Sequence, residues 1–128
     1  VGVDISLEAR RLTRERCGTG AIGALLYALD YPMESLADPI GRFDFAISLG
    51  SMEHALNIPA AVREMARILK PGGRYLLYVP NEEWVHEDQP LETTATGDEW
   101  VELLIGAGLG VDSVGKIRDN NRIVGRKP

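Results

Sequence analysis

Short apolar segments alternate along this chain with segments of helical periodicity, and this alternation most restricts the folds available to it. Strands that alternate with helices form a mainly parallel sheet with helices on both faces, so the pattern predicts a doubly wound α/β domain. Four apolar segments are predicted as strands: Val1–Asp4, Ala24–Leu29, Phe43–Leu49 and Arg74–Val79, with a helix as the alternative for the short run Ala24–Leu29. The predicted helices are Leu7–Arg16, a segment from Asn57 or Ile58 to the stop signals Lys70-Pro71-Gly72, and a segment from Thr96 to Gly106.

The end of the chain predicts an antiparallel addition to this sheet. Val111–Ile117 and Arg122–Val124 are joined across Asp119-Asn120-Asn121, which is typical of a hairpin. Thr96 and Glu99 stand three residues apart, the spacing of a capping box at a helix start. The expected fold is therefore a mainly parallel sheet with an antiparallel hairpin at one edge.

Composition and charge exclude several classes of partner. Lys and Arg together number 14 against 19 Asp and Glu, a net charge of −5, so no extended phosphate-binding surface is expected and nucleic acid is not a predicted partner. The longest apolar runs fall far short of the ~20 residues that span a bilayer, so no membrane association is expected. Cys17 is the single cysteine, which excludes an internal disulfide and a multi-cysteine metal site; no metal is predicted. The expected location is cytoplasmic.

Polar residues follow each predicted parallel strand. In sheets of this kind ligands bind beyond the carboxyl ends of the strands. The residues placed at that edge by the predicted order are Asp4, Asp30, Ser48–His54 and Asn81–Glu83. We therefore expect the ligand site at this edge.

One stretch of the chain has a specific family character. Phe43–Ser48 is followed by Glu53-His54, then by Arg67–Gly73 with its Leu-Lys-Pro-Gly-Gly closure, and then by Tyr75–Pro80. This order resembles the class I S-adenosylmethionine-dependent methyltransferases, which have a Rossmann-like doubly wound sheet. The resemblance covers nearly the whole chain and implies S-adenosylmethionine as the cofactor.

The resemblance also implies that residues 1–128 form one methyltransferase-like domain, the carboxyl-terminal portion of the fold. The family's first strand and the glycine-rich loop after it would precede Val1, which already reads as strand. In the family's sheet order that strand lies between Val1–Asp4 and Phe43–Leu49, so these two segments are expected not to pair directly.

The resemblance assigns cofactor-binding roles to six residues. It implies that Asp4 accepts both ribose hydroxyls and that Ile5 packs on the adenine face, although a helix-capping Asp and a core Ile remain the alternatives. It implies that Asp30 accepts the adenine amino group beside the backbone of Tyr31, whereas an Asp before a Pro-containing loop is also an ordinary turn former. Backbone groups of Ser48 and Leu49 would face the methionine part.

The candidate catalytic residues are His54 and Glu53. A neutral oxygen or nitrogen acceptor can need a base, and imidazole titrates in the useful range. The alternative is that His54 only braces its loop, and the same holds for Glu53. The predicted function is methyl transfer to a small-molecule acceptor. A non-catalytic remnant that binds an adenosine cofactor and a nicotinamide-dependent dehydrogenase are the alternatives, and self-association into a homo-oligomer stays open.

Overall fold

The computed structural model describes residues 2–3, 8, 11–12, 15, 28–29, 41, 43–84 and 94–128. Within these ranges no helix is both long and apolar enough to cross a membrane. The strands are β1 (Gly2–Val3), β2 (Ala28–Leu29), β3 (Phe43–Leu49), β4 (Leu69–Pro80), β5 (Gly110–Ile117) and β6 (Asn120–Arg126). The helices with described bounds are α1 (Ile58–Ile68), α2 (Gly97–Gly106) and a short 3-10 turn, Met52–His54, and the described residues 8, 11–12 and 15 are also helical.

The strands have the predicted mixture of parallel and antiparallel pairs. β1 pairs with β2 in parallel, and a second sheet has the order β3-β4-β6-β5. β3 and β4 are parallel, whereas β6 is antiparallel to both β4 and β5. The Rossmann-like α/β prediction with an antiparallel terminal hairpin is therefore confirmed. No ladder joins β1 to β3 in the part of the chain that the structure describes, as the predicted sheet order requires.

The boundary between α1 and β4 differs from the prediction. The helix ends at Ile68, and Leu69–Gly73 already belongs to the strand that was expected to start at Arg74. Phe43 pairs with Leu69 but Phe45 pairs with Arg74, so β4 carries extra residues that loop out of register. A Cβ on Gly73 would lie 2.8 Å from the Lys70 carbonyl oxygen, which explains a glycine at this close approach. The predicted stop signals thus form a bulge inside the strand.

The two helices cover one face of the larger sheet. α1 begins with Asn57, whose side chain accepts a hydrogen bond from the backbone N–H of Ala60, and α2 begins with the predicted capping box of Thr96 and Glu99. Alternate residues of β4 point into the core beneath these helices. The fully buried large side chains include Trp100, Tyr75, Leu69, Leu77, Leu104, Ile123, Val62 and Val79.

The opposite face of β3 carries exposed apolar side chains. Phe45, Ile47 and Leu49 are 48%, 58% and 60% exposed. They alternate with Ala46 and Ser48, which are partly buried, so β3 presents one face to the core and the other outward. Among the residues that the structure describes, β3 pairs only with β4. Because β3 and β4 are parallel, their carboxyl ends lie side by side.

Candidate active site at the carboxyl edge of the sheet

The loops that follow β3 and β4 start side by side. The two strands are parallel, and the backbone N–H of Gly50 donates to the carbonyl oxygen of Tyr78 at 2.8 Å. Gly50 has a φ of +59°, a left-handed conformation that glycine adopts without the steric cost of a Cβ. The chain therefore turns sharply after β3 and leads directly into the 3-10 turn.

Ser48 orders this turn with its side chain. Its hydroxyl oxygen accepts the backbone N–H of Met52 at 3.1 Å, and the hydroxyl of Ser51 donates to the Leu49 carbonyl oxygen at 3.3 Å. The Leu49 side chain points outward. The predicted roles of Ser48 and Leu49 rest mainly on backbone groups, and the structure adds a loop-ordering hydroxyl at Ser48. Their contact with a cofactor stays a prediction.

The two candidate catalytic residues lie in different environments. Glu53 is 3% exposed, whereas the neighbouring His54 is exposed. A Cβ on Gly50 would lie 3.6 Å from Glu53 Oε1, so the carboxylate lies against the turn after β3. This geometry favours Glu53 as a residue that supports the loop and leaves His54 accessible to a ligand.

The loop after β4 is held by a buried asparagine. Asn81 has no solvent exposure, and its Nδ2 donates to the Arg118 carbonyl oxygen at 3.1 Å. Its Oδ1 accepts the Glu83 backbone N–H at 2.8 Å, and its own backbone N–H donates to the Asp119 carbonyl oxygen at 2.9 Å. The predicted strand order places Asn81 at this edge but does not predict its link to the β5–β6 turn. An Asn directly after an apolar strand was the available signal.

A lysine from β5 reinforces this loop. Lys116 Nζ lies 2.9 Å from Glu82 Oε1 and 2.8 Å from Glu83 Oε1. The hydrogen bond from Lys116 lowers the pKa of Glu82, and hydrogen bonds to Glu83 and Glu82 raise the pKa of Lys116. Because these groups are exposed, the ion pairs add little stability, but they connect the loop to the hairpin a second time.

The remaining predicted cofactor residues, Asp4, Ile5, Asp30 and Tyr31, lie outside the described residues. The strands before them are described, and Val3 pairs with Leu29 in the β1–β2 register. Within the described ranges, no group of three or more His, Cys, Asp or Glu side chains is arranged to hold a metal ion.

Comparison with known proteins decides the family. The family model of a methyltransferase domain matches residues 1–77, which include β1 to β3, α1 and most of β4. The chain belongs to this methyltransferase domain family. The S-adenosylmethionine-dependent class implied by the resemblance is therefore confirmed, and the match weighs against the dehydrogenase alternative.

A relative from Escherichia coli matches part of this chain. The uncharacterized protein YafE of Escherichia coli K12 is 33% identical over 93 residues, which cover 63% of this chain and 45% of YafE. The chain thus spans less than half the length of that relative.

Two solved structures show the same fold. One is the complex between the Haloferax volcanii Trm112 methyltransferase activator and a protein described as a methyltransferase. It is 22% identical with a TM-score of 0.84, and the match covers 99% of this chain and 71% of that chain. The other is Burkholderia thailandensis 1,6-didemethyltoxoflavin-N1-methyltransferase with bound 1,6-didemethyltoxoflavin and S-adenosylhomocysteine. It is 21% identical with a TM-score of 0.74, and the match covers 98% of this chain and 59% of that chain.

Proposed function

We propose that the protein carrying this chain transfers the methyl group of S-adenosylmethionine to an oxygen or nitrogen atom of a small molecule. The observation that carries the proposal is the methyltransferase-domain match over residues 1–77. The bound S-adenosylhomocysteine of the Burkholderia enzyme supports the choice of cofactor. When bound, S-adenosylmethionine supplies an electrophilic methyl group on a sulfonium ion.

The donor set suits an adenosine cofactor. β1 and β2 are adjacent parallel strands, and the residues that follow them in the sequence are Asp4 and Asp30. A carboxylate can accept two ribose hydroxyls or an adenine amino group, the roles we propose for Asp4 and Asp30. Ile5 would pack on the adenine face, the backbone of Tyr31 would face the ring edge, and backbone groups of Ser48 and Leu49 would meet the methionine part.

The acceptor would lie over the loops that follow β3 and β4. Ligands of doubly wound sheets bind where the strand order reverses. In the order that the resemblance implies, this point falls between β1 and β3, and β4 lies next to β3. Methyl transfer is an in-line displacement, so alignment of acceptor and methyl group supplies most of the rate. We propose that exposed His54 takes the proton that the acceptor oxygen or nitrogen loses.

Cofactor affinity tests the proposed binding residue. A hydrogen bond to a charged group is worth about 1.5–3 kcal/mol, so a net loss of that size in Asp4→Ala should lower the affinity for S-adenosylmethionine by roughly 10- to 100-fold. Calorimetry on the full chain measures this, with NAD as a competing probe. Asp44→Ala is the matched control, because Asp44 is exposed and pairs with Lys70 near the start of β3. Equal affinity in parent and Asp4→Ala would refute the assignment, and tighter binding of NAD would favour a dehydrogenase.

Turnover separates an enzyme from a cofactor-binding remnant. The full chain is incubated with methyl-labelled S-adenosylmethionine and a panel of phenols, alcohols, amines and imidazoles. A base at His54 predicts that His54→Gln lowers turnover and leaves cofactor affinity nearly unchanged. Binding of the cofactor without transfer to any acceptor would support the remnant instead, and full turnover in His54→Gln would remove the base.

A further inference from the structure

We propose that Asn81 is a positioning residue that fixes the acceptor-facing loop by fastening it to the turn between β5 and β6. The inference rests on the proposed function, because the loop faces an acceptor only if the site lies at this edge. Asn81 itself is fully buried, so it acts through the loop and not by touching a ligand.

The bonds of Asn81 connect two parts of the chain that are distant in sequence. Its side-chain N–H reaches the Arg118 carbonyl oxygen, and its backbone N–H reaches that of Asp119, so both residues of the hairpin turn are engaged. Its Oδ1 meanwhile accepts from Glu83 in its own loop. One amide therefore fixes the loop and the turn relative to each other.

The turn that Asn81 holds is strained. Arg118 has a φ of +55°, and it is the only residue other than glycine with positive φ in the described ranges. A left-handed conformation is unfavourable for a residue with a Cβ, and such strain persists only where surrounding contacts impose it. The hydrogen bonds from Asn81 to this turn are contacts of that kind. Lys116, two residues earlier, adds its ion pairs to Glu82 and Glu83.

A second buried asparagine provides a matched control. Asn121 is 3% exposed, and its Nδ2 donates to the Ala95 carbonyl oxygen at 3.0 Å. Asn121→Ala removes a buried amide and its hydrogen bond to a backbone carbonyl oxygen. Asn81→Ala removes a bond of the same kind and, in addition, the bond that Oδ1 accepts from the Glu83 N–H. Its partner Ala95 lies just before α2, at the far end of the connection from β4, and not in residues 81–84 that Asn81 holds. Both substitutions should lower the melting temperature, so a general loss of stability appears in both.

Hydrogen exchange measures the loop itself. In Asn81→Ala we expect the backbone amides of residues 82–84 and 118–119 to exchange at least about tenfold faster than in Asn121→Ala. Arg118→Gly relieves the left-handed strain and keeps the carbonyl acceptor, so its loop should exchange within about twofold of the parent. Equal exchange of the loop in Asn81→Ala and Asn121→Ala would overturn the proposal.

Kinetics then test the consequence for the reaction. With the acceptor that the parent methylates in the panel, Asn81→Ala should lower kcat/KM at least about tenfold more than Asn121→Ala does, because small misplacements cost large factors in rate. The affinity for S-adenosylmethionine should stay within about twofold of the parent. Equal kcat/KM in the two variants would show a merely structural role. A parent that does not bind S-adenosylmethionine refutes the proposed function, while the exchange experiment still decides whether Asn81 fixes the loop.

Discussion

Gly125 lies where three strands come too close for any side chain, and its replacement by alanine should be severely destabilising. It sits in β6 between Tyr75 of β4 and Val111 of β5 in the strand register. A Cβ added to Gly125 would overlap both the Gly110 carbonyl oxygen and the Tyr75 hydroxyl oxygen. Neither neighbour is the free end of a flexible side chain, so the strands themselves must move.

The magnitude follows from two costs. An extra methyl group in a well-packed interior costs about 1–3 kcal/mol. The Tyr75 hydroxyl also donates to the Gly110 carbonyl oxygen at 3.1 Å, and separation of these groups leaves a buried hydroxyl unsatisfied for about 1–3 kcal/mol more. Together Gly125→Ala should lose about 2–6 kcal/mol of the roughly 5–15 kcal/mol that stabilises a typical domain.

Urea unfolding followed by circular dichroism measures this loss, and Gly115→Ala in the same hairpin is its control. A Cβ on Gly115 meets nothing within 4 Å, so this variant should be neutral or slightly stabilising. An insoluble Gly125→Ala protein beside a folded Gly115→Ala protein would agree with the prediction. A free energy of unfolding for Gly125→Ala within about 1 kcal/mol of the parent, or equal losses in the two variants, would refute the packing argument.

Two further predictions concern pH. The backbone N–H of Thr96, and to a smaller extent its hydroxyl, donate to Glu99 and hold the pKa of Glu99 below the ordinary 4.5. The stability that these bonds contribute is complete above pH 4.5 and is lost as pH falls through the lower pKa of the folded state. The difference in melting temperature between the parent and Glu99→Gln should therefore shrink between pH 6 and pH 3, and a constant difference would contradict this. Burial, and then the negative charge of Asp112, raises the pKa of Tyr75 from 10.0 to about 12. Stability from the neutral hydroxyl is present below pH 10 and falls as pH rises toward 12, so the parent should lose more stability than Tyr75→Phe over that interval in alkaline urea titrations, and parallel losses would refute it.

Local sequence signals predicted those elements whose formation depends on neighbouring residues. Phe43–Leu49 has the predicted bounds, because its apolar composition and the following Gly50 specify a strand and its end. The capping box at Thr96 and Glu99 is confirmed, since its partners stand three residues apart. The predicted boundary between α1 and β4 was wrong, because hydrogen bonds to residues distant in sequence determine it. The N–H of Gly72 donates to the Lys127 carbonyl oxygen, and the N–H of Lys127 donates to the Gly73 carbonyl oxygen. The residues predicted to stop the helix therefore extend the strand.

The same distinction between local and distant interactions applies to the candidate site. Asp4, Asp30 and His54 could be proposed from the sequence alone, because they are acids and a histidine that follow predicted strands. What holds the loop after β4 could not be predicted, because Asn81 finds its partners in the carbonyl oxygens of Arg118 and Asp119. Every residue has a carbonyl oxygen, so an acceptor of this kind leaves no trace in the residue types. Only the antiparallel pairing of β4 with β6, which places Pro80 opposite Asn120, brings that turn to the end of β4. The terminal hairpin therefore does more than close the edge of the sheet: it supplies the backbone acceptors on which the loop beside the proposed acceptor site is fixed.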